Sequence, residues 1–399
     1  MALTLYENEL LATVIDKFKV QFPMLSAITT DFTSGGVVLN QTKTARVRKA
    51  ATVQDYDGTT GYTANAAATS ALLEDVPVTM NRHKHVPVVV DYIDQTGSTL
   101  NLMEEQAAEI AFDLGKECVD YVLSLCRGAN FSQSSEFTEA NSDLDATENI
   151  RGDLNTIGAR QTGRFGIVNT GVALSLGVDS RVASRDFHGI LNGGNAFRGF
   201  ANVSGFDNIW EYPSLPSNNV ADVVITVANA TDIWTTATAH GLSVGDRIQL
   251  SNSGGALPAG STAATDYFVL TVPSTTTLTL SATDGGSILD VSGDGTGTHT
   301  LEGYENLSGF FGTKESLILV ADIPRPLANP DPALTNVVDI ETMQDSDTGL
   351  TLAMLTWVNT NGLFDLHKTV TWIYGAKAGR QSGAAGVMTD YAGHRLVSL

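Results

Sequence analysis

The chain has 399 residues, and its 44 acidic against 23 basic side chains give a net charge of −21, a field that repels phosphate backbones and disfavours general nucleic-acid binding. Hydrophobic residues make up 42% and aromatic residues 7%, enough for two or three packed units, while 38 glycines among many Thr and Ser favour strands and turns over an all-helical fold. No run of about 18 apolar residues occurs, and the amino terminus carries acids where a secretory signal carries Lys or Arg, so the expectation is a soluble, unsecreted protein without a membrane span.

The first element is "TLYENELLATVIDKFKVQF", where Leu10, Leu11, Val14, Ile15 and Phe18 recur at helical spacing and Thr4 with Glu7 can form a capping box. Residues 1–50 carry six bases and four acids, a locally positive arm on an acidic chain. From Val37 to Val53 the alternation of polar and β-branched residues predicts a strand. A second strand-like run follows a Gly/Thr/Ala-rich stretch from Asp57 to Ser70, which together predict a long hairpin. His83 and His85 are expected on its stem.

The run "NLMEEQAAEIAFDLGKECVDYVLSLC" sets Met103, Ala107, Ile110, Leu114, Cys118, Tyr121 and Leu125 at steps of three and four, with Asn101 and Glu104 as cap partners. It predicts one helix over 101–126, nearly 40 Å long at the usual rise. Cys118 and Cys126 lie on it roughly 12 Å apart, beyond disulfide reach, and read as buried, inert thiols.

A second helix is expected from Ala146 to Arg160, then a strand and short helix in "RFGIVNTGVALSLG", and an extended, proline-punctuated "SGFDNIWEYPSLP" from Ser204 to Pro216. A buried strand between helices implies an α+β layer. Between 217 and 303 there is no Lys and one Arg against eight acids. Strands are predicted there at Val223–Val227, Ile233–Thr236, Arg247–Leu250, Tyr267–Val272, Thr277–Leu280 and Thr298–Leu301, the pattern of an inserted all-β barrel or sandwich. "ENLSGFFGTKESLILVADIPRP" returns to mixed structure, and strands near Asn336–Met343, Leu350–Val358 and His367–Tyr374 close the chain.

Chemistry-bearing patterns are few. His240 and Asp246 flank Gly241 and Gly245 in "TAHGLSVGDRIQLSN", which reads as a turn feeding a strand, so that losing His240 should cost little; a metal reading needs further ligands, and His299 has no fixed spacing to them. His83 and His85, two apart on a strand, share a face but lack a third ligand at short range. "GDGTGT" at Gly293–Thr298 is not followed by a helix pattern, "GFFGTK" at Gly309–Lys314 has the wrong spacing for a phosphate loop, and Arg151-Gly152-Asp153 falls inside a helix pattern. No GxSxG or HExxH occurs. No catalytic, cofactor-binding or metal-ligating residue is assigned, and no cofactor.

The order of elements, with "MALTLYENELLA", "LEDVPVTMNRHKHVPVVVD", "SGFDNIWEYPSLP" and "YENLSGFFGTKESLILVADIPRP", resembles the major capsid proteins of tailed bacteriophages. These have the Hong Kong ninety-seven type fold, and the likeness is strongest to those carrying an inserted β domain. The resemblance implies an α+β chain divided into an amino-terminal arm (1–51) lying over neighbouring subunits, an extended-loop hairpin (52–85), a peripheral domain (86–170 and 359–399) with a spine helix at 101–126, an axial domain (171–216 and 304–358) and an inserted β domain (217–303). It implies a non-enzymatic shell subunit of a virion, assembled in a host bacterial cytoplasm from pentamers and hexamers of itself around double-stranded DNA. Its partners would be a portal protein, a decoration protein and a scaffolding protein. Thr52 to Glu74 contains no Lys, which argues against covalent cross-linking through that loop, and a hairpin beginning near residue 52 leaves no room for a built-in scaffold, so a separate one is implied.

Two other roles fit parts of the sequence. An encapsulin-like nanocompartment shell would keep the fold without a genome, and a β-rich surface or carbohydrate-binding protein would explain 217–303 while leaving the 101–126 helix unaccounted for.

Overall fold

The computed structural model describes residues 2–32, 35–48, 73–88, 102–128, 130–131, 133–136, 144–179, 199–215, 220–263, 265–283, 285–303, 306–325, 337–346, 348–358, 366–379 and 392–398. In chain order the elements are α1 (Ala2–Gln21), β1 (Thr29–Phe32), β2 (Thr42–Arg48), β3 (Leu73–Thr79), β4 (Arg82–Val88), α2 (Leu102–Leu123), β5 (Ser134–Glu136), α3 (Leu144–Thr156), β6 (Arg164–Val168), α4 (Thr170–Val178), β7 (Gly199–Val203) and β8 (Phe206–Glu211). Then come β9 (Val220–Ala228), β10 (Ile233–Thr236), β11 (Arg247–Ser253), β12 (Tyr267–Ser274), β13 (Thr277–Ser281), β14 (Thr298–Gly303), β15 (Asn306–Thr313), β16 (Leu317–Asp322), β17 (Val337–Gln344), β18 (Thr351–Val358), β19 (Leu366–Ala378) and β20 (Gly393–Ser398). The fold is mixed α+β, and the chain forms two compact units: residues 1–122 with 314–380, and 123–313 with 381–399.

The first unit is built on the sheet β1-β16-β19-β18-β17, with β4 also paired to β19. Its core strand "LILVAD" is buried at every position. On α1, Leu10, Leu11, Val14, Ile15 and Phe18 are all buried, with Phe18 edge-on to Trp372 at 5.6 Å between ring centroids. Lys19 ties the helix to Asp345, after β17, at 2.9 Å. The apolar stripe of residues 10–18 thus finds its cover within its own unit. β1 likewise adds in parallel to β16.

The helix expected at 101–126 runs from Leu102 to Leu123 and buries Ala107, Ile110, Ala111, Leu114, Cys118, Val119 and Val122. Gly115 in its middle carries the usual helix penalty, but a Cβ there would collide with the Phe22 ring, so the bare backbone is what lets the segment after α1 pack against α2.

In the second unit the sheet order is β5-β20-β15-β6-β8-β7, with α3 and α4 burying Ile150, Leu154, Val172 and Leu176 against Phe206, Ile209 and Phe311. Between β8 and β15 the chain leaves this sheet to form a closed six-stranded barrel, β10-β13-β12-β11-β14-β9. Trp234, Ile248, Leu250, Leu278, Leu280 and Leu301, each fully buried, fill it.

β15 and β20 pair with each other while β16 and β19 pair in the other unit, so 304–358 and 359–399 are each split between units. The expected hairpin of 52–85 is corrected. Its stem is β2 paired with β3, from Thr42↔Thr79 to Arg48↔Leu73, whereas 82–85 begins β4, which pairs with β19. The break falls at Met80, which is fully buried and whose N–H donates to Gln41 O at 2.9 Å. Residues Asp57–Ser70 lie outside the described residues.

Candidate functional site

The β2–β3 stem is the feature with the most to say about function. Burial alternates along it: Ala45, Val47, Val76 and Val78 face inward onto Ile318, Val320 and Ile373, while Thr44, Arg46, Asp75, Pro77 and Thr79 are exposed. Each buried Val contributes about 1.5–3 kcal/mol, which anchors the base of the stem. The exposed Arg46–Asp75 pair, 3.5 Å apart, adds little. At the stem's root the Lys43 ammonium meets the Asp322 carboxylate. Beyond Arg48 and Leu73 the connection of residues 49–72 lies outside the described residues, and β2 and β3 pair only with each other among them.

His240 and Asp246 occupy a turn at one end of the barrel. Gly241 and Gly245 sit at φ 65° and 86°, positions that favour glycine. The Leu242 N–H donates to His240 Nδ1 at 3.0 Å, which leaves Nε2–H as the donor to Ser274 O at 3.2 Å. Asp246 accepts from the Ser243 N–H at 2.7 Å, and burial raises its carboxyl above the usual range. Each side chain is therefore committed to backbone of its own loop or the adjoining turn. Both are 2% exposed, so the expectation that losing His240 costs little is corrected: its removal strands a buried N–H.

The remaining sequence candidates are separated by the fold. His83 is half-buried on β4, with Nε2 3.0 Å from Thr371 Oγ1, and His85 is exposed, so both lie on the main sheet instead of the hairpin stem. His299 pairs across strands with Asn252 and donates from Nε2 to Asp294 O at 2.9 Å. "GDGTGT" is the turn leading into β14, "GFFGTK" lies mostly in β15, and Arg151-Gly152-Asp153 is inside α3. Cys118 and Cys126 are buried free thiols, and desolvation pushes both well above the usual thiol range. Among the described residues no group of three or more His, Cys, Asp or Glu is placed to hold a metal ion.

One constellation was beyond the reach of sequence reasoning. Ser135 Oγ lies 2.7 Å from His394 Nε2, and His394 Nδ1 lies 3.5 Å from Asp153 Oδ2. The residue types are those of a nucleophile, base and orienting acid. The Asp153 contact is too long for a hydrogen bond, and burial, then the neighbouring Arg395, pushes the imidazole down to about 4. A ring that resists protonation, without a carboxylate bonded to it, is a poor general base. The arrangement instead fastens β5 to β20, and with Ser135 and His394 standing 259 residues apart in sequence no spacing rule could have found it.

No family model matches the chain, and no curated protein sequence matches it. By structure it is similar to a capsid structure of cyanophage P-SCSP1u, at 10% identity over 94% of this chain and 86% of that one, with a TM-score of 0.43. It is similar to the asymmetric unit of the bacteriophage PhiM1 mature capsid at 11% identity, 93% and 85% coverage and TM-score 0.38. A structure from Mycobacterium phage Che8 gives 13% identity, 94% and 87% coverage and TM-score 0.37. No described helix is long and apolar enough to cross a membrane.

Proposed function

We propose that the chain is the major capsid subunit of a tailed bacteriophage, with the Hong Kong ninety-seven type fold and an inserted β barrel, which assembles into an icosahedral shell around double-stranded DNA. The observation that carries this reading is the β2–β3 stem. It is a two-stranded ribbon whose inner face is satisfied by its own unit, whose outer face is exposed and which pairs with no third strand among the described residues. A two-stranded ribbon gains stability by lying against more structure, and in a shell the neighbouring copy supplies it.

The other features agree with a wall more than with a catalyst. The buried His, Asp and Cys groups are spent on turns, strand fastening and core packing. The net charge of −21 gives a surface that repels packaged DNA, so that the genome is not held by the wall that contains it. Copies of the chain form pentamers and hexamers, and a scaffolding protein, a portal and a decoration protein complete the particle in the host cytoplasm.

Negative-stain microscopy of the full chain, expressed with and without a scaffolding protein from the same genome, tests this. Closed shells or tubes of capsomers are the expected product. A chain that stays monomeric under every assembly condition would contradict it.

A further inference from the structure

The facing surfaces of the hairpin stem and the sheet beneath it end in two charged positions. The inward series on β2 is Lys43, Ala45 and Val47, and on β16 it is Ile318, Val320 and Asp322. Lys43 and Asp322 meet, the ammonium donating to Asp322 Oδ2, with the Asp322 side chain wholly buried and that of Lys43 22% exposed. The other carboxylate oxygen, Oδ1, accepts the Ile323 N–H at 2.7 Å and the Gly36 N–H at 3.2 Å. Val78 stands opposite Lys43 and Ile373 opposite Asp322, both buried in the apolar cluster with Val37 and Met80.

We propose that Lys43 and Asp322 condense into an intramolecular isopeptide bond that staples the stem to the sheet. The step balances with no added reagent. The ammonium passes one proton to Oδ2, giving a neutral amine and a carboxylic acid. Nζ then attacks Cγ, and the displaced electron pair settles on Oδ1, where the two backbone N–H groups hold the developing oxyanion. Nitrogen gives a second proton to Oδ2, the Cγ–Oδ2 bond breaks, water leaves, and a secondary amide remains.

Three properties of the site favour this course. The Asp322 side chain is wholly buried, and holding an ion pair there carries a desolvation cost that a neutral amide does not. The nucleophile and electrophile are held together by strands 279 residues apart in sequence, which replaces a bimolecular encounter by a fixed approach. The apolar cluster around the wholly buried Asp322 limits access of the water that would return the amide to acid and amine. The product would carry any pull on the hairpin directly into β16, and its formation does not depend on the chain building a shell.

The test is the intact mass of the full-length chain under denaturing conditions, followed by peptide mapping. The native chain should be lighter than its sequence by one water and yield a branched peptide joining the Lys43 and Asp322 segments. Lys43→Arg keeps the charge but cannot condense, and should show the full mass and only linear peptides. A native chain at full sequence mass would overturn the proposal. So would a one-water deficit that persists in Lys43→Arg or is reversed by hydroxylamine, which marks a succinimide at Asp322.

Discussion

The barrel and the hairpin stem are both antiparallel, both alternate buried and exposed residues, and solve the problem of strand edges in opposite ways. The barrel closes its six strands on one another, leaving no edge, and fills its interior with its own side chains. The stem has two strands, borrows its core from β16 and β19, and pairs with no third strand among the described residues. Self-containment suits an insertion that must not disturb the sheet it interrupts. Incompleteness suits an element whose final partner is another molecule.

The largest effect that could break this comparison is in the barrel. Trp234 is fully buried at its centre, and Trp234→Ala should cost about 4 kcal/mol, unfolding an isolated 217–303 fragment whose native form melts cooperatively on its own. If the native fragment shows no cooperative melting by circular dichroism, the barrel is not self-contained. In the stem, Val76→Asp, opposite Ala45, buries an unpaired carboxyl at a cost of about 3 kcal/mol, and should speed amide exchange across 42–48 while leaving barrel protection intact. Loss of barrel protection in that variant would couple the two regions.

Acid separates the barrel from the sheet into which it is threaded. His394 has its folded value near 4, below the ordinary 6.5, so the unfolded chain takes up the proton first. Its contribution is present above pH 6.5 and is lost as pH falls towards 4, by up to about 3 kcal/mol, and His394→Asn should remove that slope from the pH dependence of melting. An unchanged slope would show that the ring is not desolvated. The smallest effect is at the barrel turn. His240→Ala should cost about 2 kcal/mol by stranding the Leu242 N–H, with no response to added chelator. A chelator-sensitive melting temperature would place a metal at that turn.

How much of this was legible depended on period and distance. The six barrel strands stand in the sequence because alternation and turn glycines are local signals, and the run from Val223 to Leu301 shows both. α2 was legible from Ala107, Ile110, Leu114 and Cys118, with its end three residues short of Cys126. β16 and β20 were not delimited: "LILVAD" is buried on both faces and has no alternation to read, and "GHRLVS" becomes a strand only by pairing with β15 and β5. A helical stripe says that residues 10–18 need cover but not whose, and the structure supplies that cover within the same unit. Ser135–His394 and Lys43–Asp322, 259 and 279 residues apart, exist only once the sheets have formed.

Hydrogen exchange on the full chain, unassembled and assembled, tests the central claim most directly. Assembly should slow exchange at the β2–β3 amides that face outward, as a neighbouring copy covers them, and should leave the barrel interior strands unchanged. Equal protection of the stem in both states, or protection gained by the barrel alone, would contradict the assignment of the stem as the element through which one copy meets the next.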